Sequence, residues 1–125
     1  MFNRIMFVTV FVSDQDRALA FYTNAFGFEK RIDVANPEGR FLTIAFKDQP
    51  WEVLLWPGTA GRAKTHPHEL GTLFIESDDL RKDFAELKAR GVEFVEKEPE
   101  AYTYGVRVTA LDPDGNPVAL RQRPK

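Results

Sequence analysis

Few residues in this sequence have the types and spacing that metal binding or catalysis requires. His66 and His68 form a His-x-His pair, and Glu69 follows. Both histidines lie in a stretch rich in Gly, Pro and Thr, so no secondary structure fixes a third ligand beside them. This pattern favours a solvated loop over a metal site. The chain has no Cys, which excludes a thiolate metal site, a cysteine nucleophile and a disulfide scaffold.

A carboxylate and a guanidinium are the other candidates. Glu76 ends an apolar strand pattern and is a weak candidate for a general base, provided that an apolar pocket encloses it. The alternative is a carboxylate at the rim of a pocket, in water or paired with an Arg. Arg107 alternates with two Val residues and could bind a ligand carboxylate or phosphate bidentately, or remain a solvated charge. Tyr102 and Tyr104 precede it and could stack on a planar ligand.

Composition limits the classes of function. The 125 residues suffice for one domain, and 11 Phe with two Trp supply both a core and aromatic surface for a pocket. The formal net charge is −2 with no basic stripe, so we expect no nucleic-acid partner. No apolar run reaches the length of a membrane span, and the lack of Cys is compatible with a cytoplasmic location.

The first half of the chain predicts one helix between strands. "MFVTVFV" (6–12) is typical of a buried strand, and "SDQD" follows it with Ser13 as the expected N-cap. Apolar residues at helical spacing continue to Gly27, which we expect to end the helix. Turn residues then separate three further strands, predicted at about 28–35, 40–46 and 51–56.

The second half repeats this pattern. A strand at 71–76 precedes "SDD", a second helix and Gly91, and each of these features lies at the same offset from its counterpart in the first half. Three strands are predicted after that helix, at 92–98, 105–111 and 117–121. The sequence therefore predicts a single domain of two β-α-β-β-β modules, at about 4–56 and 71–122, joined by a linker at 57–70.

Three segments of the chain resemble the vicinal oxygen chelate superfamily, the group of glyoxalase I, bleomycin-resistance proteins and extradiol dioxygenases. They are "VTVFVSDQDRALAFYTNAFGF" (8–28), "FIESDDLRKDFAELKARGVEF" (74–94) and "YGVRVTALDPDGNPVAL" (104–120). The resemblance implies an α+β fold, in which the eight strands of two modules curl into a cup with the helices outside and the ligand inside. It also implies a homodimer.

The resemblance further implies where a metal would bind in an enzyme of this superfamily. The four ligand positions are occupied here by Phe7, Leu55, Thr72 and Ala119. Phenyl, isobutyl and methyl groups offer no lone pairs to a divalent metal, and a neutral Thr hydroxyl is a weak ligand. We therefore expect a cup without a metal or any other cofactor.

Strand alternation predicts which side chains line that cup. Apart from Tyr104 and Arg107, the expected ligand-binding residues lie on three strands and are mostly apolar: Phe7, Thr9, Phe11, Trp51, Leu55, Thr72 and Phe74. The alternative is that these side chains simply fill the core.

The leading hypothesis is that the chain binds a small apolar or aromatic molecule in a metal-free cup. Two alternatives remain open at the level of sequence. One is a divergent lyase-like or dioxygenase-like enzyme with a non-standard site, and the other is a structural or regulatory dimer module.

Overall fold

In the computed structural model, residues 1–58 and 73–124 are described, and they contain two helices and nine strands in two mixed sheets. This is the α+β architecture that the resemblance implied. The chain divides into two compact units, Met1–Ala60 and Gly61–Lys125. Neither helix of the described ranges is long and apolar enough to cross a membrane.

The first unit has the predicted β-α-β-β-β order. Its elements are β1 (Phe7–Val12), α1 (Gln15–Phe26), β2 (Glu29–Asn36), β3 (Gly39–Ala45) and β4 (Glu52–Pro57). The strands are arranged in the order β1-β4-β3-β2. β1 runs parallel to β4, while the other neighbouring pairs are antiparallel.

Helix α1 begins one residue later than the sequence predicted. Its N-cap is Asp14 rather than Ser13, because the Asp14 carboxylate accepts the Arg17 backbone N–H at 3.0 Å. The Ser13 hydroxyl instead accepts a hydrogen bond from the Arg17 guanidinium. The predicted end is confirmed, since Gly27 adopts a left-handed conformation at φ 81° and its N–H bonds the Thr23 carbonyl.

One face of the first sheet packs toward α1. Leu42 and Ile44 are fully buried on this face, as is Leu55 of β4. The orientation follows from Arg40, which shares the face of Leu42 and forms an ion pair with Asp16 of α1 at 2.7 Å. We call this the helix face of the first sheet and the opposite side its open face.

The second unit contains β5 (Leu73–Glu76), α2 (Leu80–Ala89), β6 (Glu93–Phe94), β7 (Glu100–Tyr102), β8 (Gly105–Leu111) and β9 (Pro117–Gln122). The sheet order is β5-β9-β8-β6, and β7 also pairs with β8. As in the first unit, the first strand is parallel to the last one. Asp79 caps α2, and its carboxylate accepts the Lys82 N–H.

The strand predicted at 92–98 is wrong in its extent. Only Glu93 and Phe94 pair as β6, and pairing resumes at Glu100 as β7. The Glu96 carboxylate accepts the backbone N–H of Thr109 at 2.7 Å and its hydroxyl at 3.1 Å. The Glu96 side chain thus accepts the Thr109 N–H in place of a backbone carbonyl of the neighbouring strand. Pro99 also has no N–H that could donate to β8.

The helix face of the second sheet is identified by Gln122. Its side-chain oxygen accepts the N–H of Leu80, the first residue of α2. Val118 and Leu120 alternate with the residues of the other face and are buried on the same side as Gln122. The side of Ala119 and Arg121 is therefore the open face of this sheet.

Candidate functional site

The open face of the first sheet is largely aromatic. Phe7 contacts Phe41 edge-on at 5.4 Å between ring centroids, and Phe41 lies 6.4 Å from Trp56. Phe11 is 48% exposed and packs against Gly58, where an added Cβ would come within 2.6 Å of the Phe11 ring. These rings form an apolar surface that a flat ligand could contact.

A polar cluster lies on the same open face. Thr43 is fully buried, accepts the Ile32 N–H and donates to Glu52 at 2.6 Å. Arg31 lies 3.9 Å from the other Glu52 oxygen and donates to the carbonyls of Phe46 and Lys47. Thr43, Glu52 and Arg31 thus all form hydrogen bonds or ion pairs within the protein, and this arrangement favours a structural role.

The strand register corrects the predicted face of β4. Val10 lies opposite Leu55, while Thr9 lies opposite Leu54. Paired residues share a face, so Leu55 lies on the helix face and is fully buried there, away from Phe7, Thr9 and Phe11. Leu54 occupies the open face instead. Trp51 precedes β4 and is 37% exposed, so it is not part of the paired face.

The open face of the second sheet combines aromatic rings with arginines. The guanidinium carbon of Arg121 lies 5.1 Å from the Phe74 ring centroid and 5.8 Å from that of Tyr102. Arg107 lies 4.8 Å from the same Tyr102 ring, which is 5.9 Å from Tyr104. Phe74 and Tyr104 are 55% and 72% exposed, so both rings are available to a ligand.

The carboxylates on this face are paired. Glu76 forms an ion pair with Arg123 at 3.1 Å, and its side chain is 52% exposed. Glu100 pairs with Arg107 at the same distance. Glu76 thus has the half-exposed, arginine-paired arrangement that was the alternative to a general base. Arg107 has a carboxylate partner within the protein.

The turn "DPDGNP" holds Ala119 and Arg121 in place. The Asp112 carboxylate accepts the N–H groups of Asp114 and Asn116 at 2.9 and 2.8 Å, and the Asn116 side-chain amide at 2.8 Å. Gly115 has φ 79°, which this tight turn requires. β9 therefore enters the sheet in a single register, with Ala119 opposite Thr109 on β8 and Phe74 on β5.

The donor set does not fit the divalent metal that the superfamily would imply. Phe7 and Ala119 lie on open faces as expected, but a phenyl ring and a methyl group cannot ligate a metal. Leu54, which replaces Leu55 on the open face, adds no donor either. Among the described residues, no group of three or more carboxylates and imidazoles could hold an ion. Thr72, His66 and His68 lie outside the described residues.

Arg40 belongs to a structural network on the helix face rather than to the open face. It bonds Asp33 at 2.8 and 3.0 Å and Asp16 at 2.7 Å. These hydrogen bonds from Arg40, together with one from Lys30, hold the pKa of Asp33 well below its usual range. Asp33 raises the pKa of Arg40 in turn. The network joins β2, β3 and α1.

Sequence reasoning missed Arg121 and Leu54. Arg121 follows Ala119 by two residues, so alternation along β9 could have placed both side chains on the same face. The sequence does not show that Leu54 lies on the open face, because Val53, Leu54 and Leu55 are all apolar. Which of them share a face with Phe7 is determined by the pairing of β4 with β1.

Comparison with known proteins agrees with this architecture. A family model described as Glyoxalase/Bleomycin resistance protein/Dioxygenase superfamily matches residues 4–120, so the chain belongs to that superfamily. It is 29% identical over 123 residues to YetH of Bacillus subtilis, covering 98% of this chain and all of YetH.

Two solved structures extend the comparison. TnmS3, an antibiotic-binding protein from Streptomyces sp. CB03234, has a TM-score of 0.79 and 29% identity, with 98% of each chain covered. A superfamily member from Sphaerobacter thermophilus has a TM-score of 0.83, again with 29% identity and 98% coverage of both chains.

Proposed function

We propose that the chain binds a small, flat, largely aromatic molecule on the open face of its second sheet, without a metal. One observation carries this proposal: the open face of the second sheet exposes Phe74 and Tyr104 beside two arginines, and its carboxylates Glu76 and Glu100 are each ion-paired with an arginine. Exposed rings of this kind are costly to leave in water and are typical of ligand surfaces.

The superfamily membership supports the same proposal. TnmS3 binds an antibiotic, and binding of that kind requires neither an acid nor a Lewis acid. The aliphatic and aromatic groups at the metal-ligand positions support a metal-free site. We also propose a cytoplasmic homodimer, as the superfamily resemblance and the cysteine-free composition suggested.

Thermal denaturation with a library of planar aromatic compounds tests the binding. A ligand at about 100 times its dissociation constant adds roughly 2.7 kcal/mol to the free energy of unfolding, a shift that such an assay detects readily. Phe74→Ala should remove the shift produced by a hit. Phe2→Ala is the matched control, because Phe2 is fully exposed and precedes β1. A library without any hit would contradict the proposal.

Metal titration tests the other half of the proposal. Tag-free protein should contain well under one equivalent of nickel, zinc, manganese or iron by elemental analysis, and added metal should leave the melting temperature unchanged. One tightly bound metal per chain would contradict a metal-free site. His66→Ala and His68→Ala variants would then show whether those histidines hold it.

A further inference from the structure

Arg121 lies at the centre of the open face of the second sheet. It is opposite Glu76 on β5 and opposite Arg107 on β8, and Arg107 is in turn opposite Glu100 on β7. The register therefore places one acidic or basic side chain on each of four adjacent strands, in the order Glu76, Arg121, Arg107 and Glu100. Paired residues of a sheet share a face, so all four project to the same side.

The row contains two carboxylates and two guanidinium groups, but the ion pairs do not match them one to one. Glu100 is paired with Arg107, and Glu76 is paired with Arg123 rather than with Arg121. Within the described ranges no carboxylate lies in ion-pair distance of Arg121, whose one hydrogen bond to protein runs from Nη1 to the carbonyl of Leu120 at 3.0 Å. A guanidinium carries five N–H donors, so most of them have no acceptor in the described protein.

The groups around Arg121 are flat, apolar or small. The rings of Phe74 and Tyr102 lie beside its guanidinium, and such contacts orient an arginine without satisfying its N–H donors. Ala119 precedes it on the same face with only a methyl group. Thr109 lies opposite Ala119, and its hydroxyl is bound to Glu96. The guanidinium of Arg121 is thus held in a fixed orientation beside the rings of Phe74 and Tyr102.

We propose that the ligand is a planar aromatic anion with a carboxylate as its charged group. Arg121 is the residue that binds this carboxylate. The ring of the ligand would stack on Phe74 and its carboxylate would accept two N–H donors from the guanidinium. This proposal rests on the proposed function and narrows it to one class of ligand. Arg107 and Arg123 are each paired with a glutamate, so the charge that a cationic ligand would meet beside Phe74 is that of Arg121.

Three naphthalene probes of equal size test this charge preference. They are naphthalene-2-carboxylate, naphthalene-2-carboxamide and 2-naphthylmethylammonium, titrated calorimetrically into the full chain. The expected order of affinity is carboxylate, then amide, then ammonium, with about tenfold between the first two. In Arg121→Gln the carboxylate should lose about tenfold in affinity, while the amide should be unchanged and thereby report an intact surface.

Arg90→Gln is the matched control. It removes the same charge from the second unit, at an arginine that lies 3.9 Å from the Glu86 carboxylate and has a 55% exposed side chain. It should change carboxylate affinity by less than threefold. Arg121→Lys keeps the charge but not the planar fork, so its affinity should lie between those of wild type and Arg121→Gln.

The outcomes separate this inference from the function on which it rests. A carboxylate preference that disappears in Arg121→Gln and persists in Arg90→Gln supports the inference. Equal binding of all three probes, or strongest binding of the ammonium, overturns it and leaves aromatic binding standing. Equal losses in Arg121→Gln and Arg90→Gln also overturn it, since a general charge effect would then explain the result. No binding of any probe overturns it as well, and the compound library then decides the function.

Discussion

Removal of the Asp112 carboxylate should destabilise the protein strongly, although the residue lies in a surface turn. Its carboxylate accepts hydrogen bonds from two backbone N–H groups and one side-chain amide, and only 5% of the residue is exposed. A hydrogen bond to a charged group contributes about 1.5–3 kcal/mol. Water can reach part of the turn in Asp112→Ala, so we expect a loss of about 3 kcal/mol rather than the full sum.

Urea unfolding followed by circular dichroism measures this loss directly. The melting temperature should fall by about 10 °C for a chain of this length. Asp48→Ala is the matched control, since Asp48 is an exposed turn residue whose side chain makes no hydrogen bond to the described protein, and its effect should stay within about 0.5 kcal/mol. A loss below 1 kcal/mol in Asp112→Ala would refute the view that the carboxylate organises the turn.

Three further predictions follow from the register and the ion pairs. Leu55→Ala should cost about 3 kcal/mol in chemical unfolding and Leu54→Ala less than half of that, because only Leu55 is fully buried on the helix face; equal losses would contradict the register. Asp33→Asn should destabilise the protein at neutral pH. The lowered pKa of Asp33 means that its contribution is complete above about pH 4 and is lost as the pH falls further, so the gap between variant and wild type should narrow in acid urea titrations; a gap independent of pH would contradict this. Glu100→Gln releases Arg107 from its ion pair and should raise calorimetric affinity for naphthalene-2-carboxylate by roughly threefold, whereas a lower affinity would show that Glu100 helps to bind the ligand.

Features set by local chemistry could be predicted from the sequence. Gly27 ends a helix because only a left-handed residue closes that turn, and the Asp112 turn follows from the spacing of Asp, Pro and Gly. The repeated β-α-β-β-β order could be recognised from two similar segments at a constant offset, apart from the interrupted strand. These signals need no knowledge of which strands pair.

Features set by pairing between strands could not be predicted. In "WEVLLW" the apolar positions are nearly continuous, so alternation does not show which residues face which side of the sheet. The prediction was wrong by one residue and assigned Leu55 to the open face. The interruption between β6 and β7 depends on Glu96 reaching Thr109 across the sheet. Arg121 has no carboxylate partner among the described residues because Glu76 pairs with Arg123, and only the folded sheet determines which of the two arginines Glu76 binds.

Mapping of a bound aromatic ligand by NMR tests the central claim most directly. With ¹⁵N-labelled protein and naphthalene-2-carboxylate, we predict that the largest saturable shifts occur at Phe74, Thr109 and Arg121 on the open face of the second sheet. Residues of the groove beside α2, such as Phe84, Lys88 and Phe94, should shift little. Saturable shifts confined to that groove, or the absence of any saturable shift on the open face, would contradict the claim.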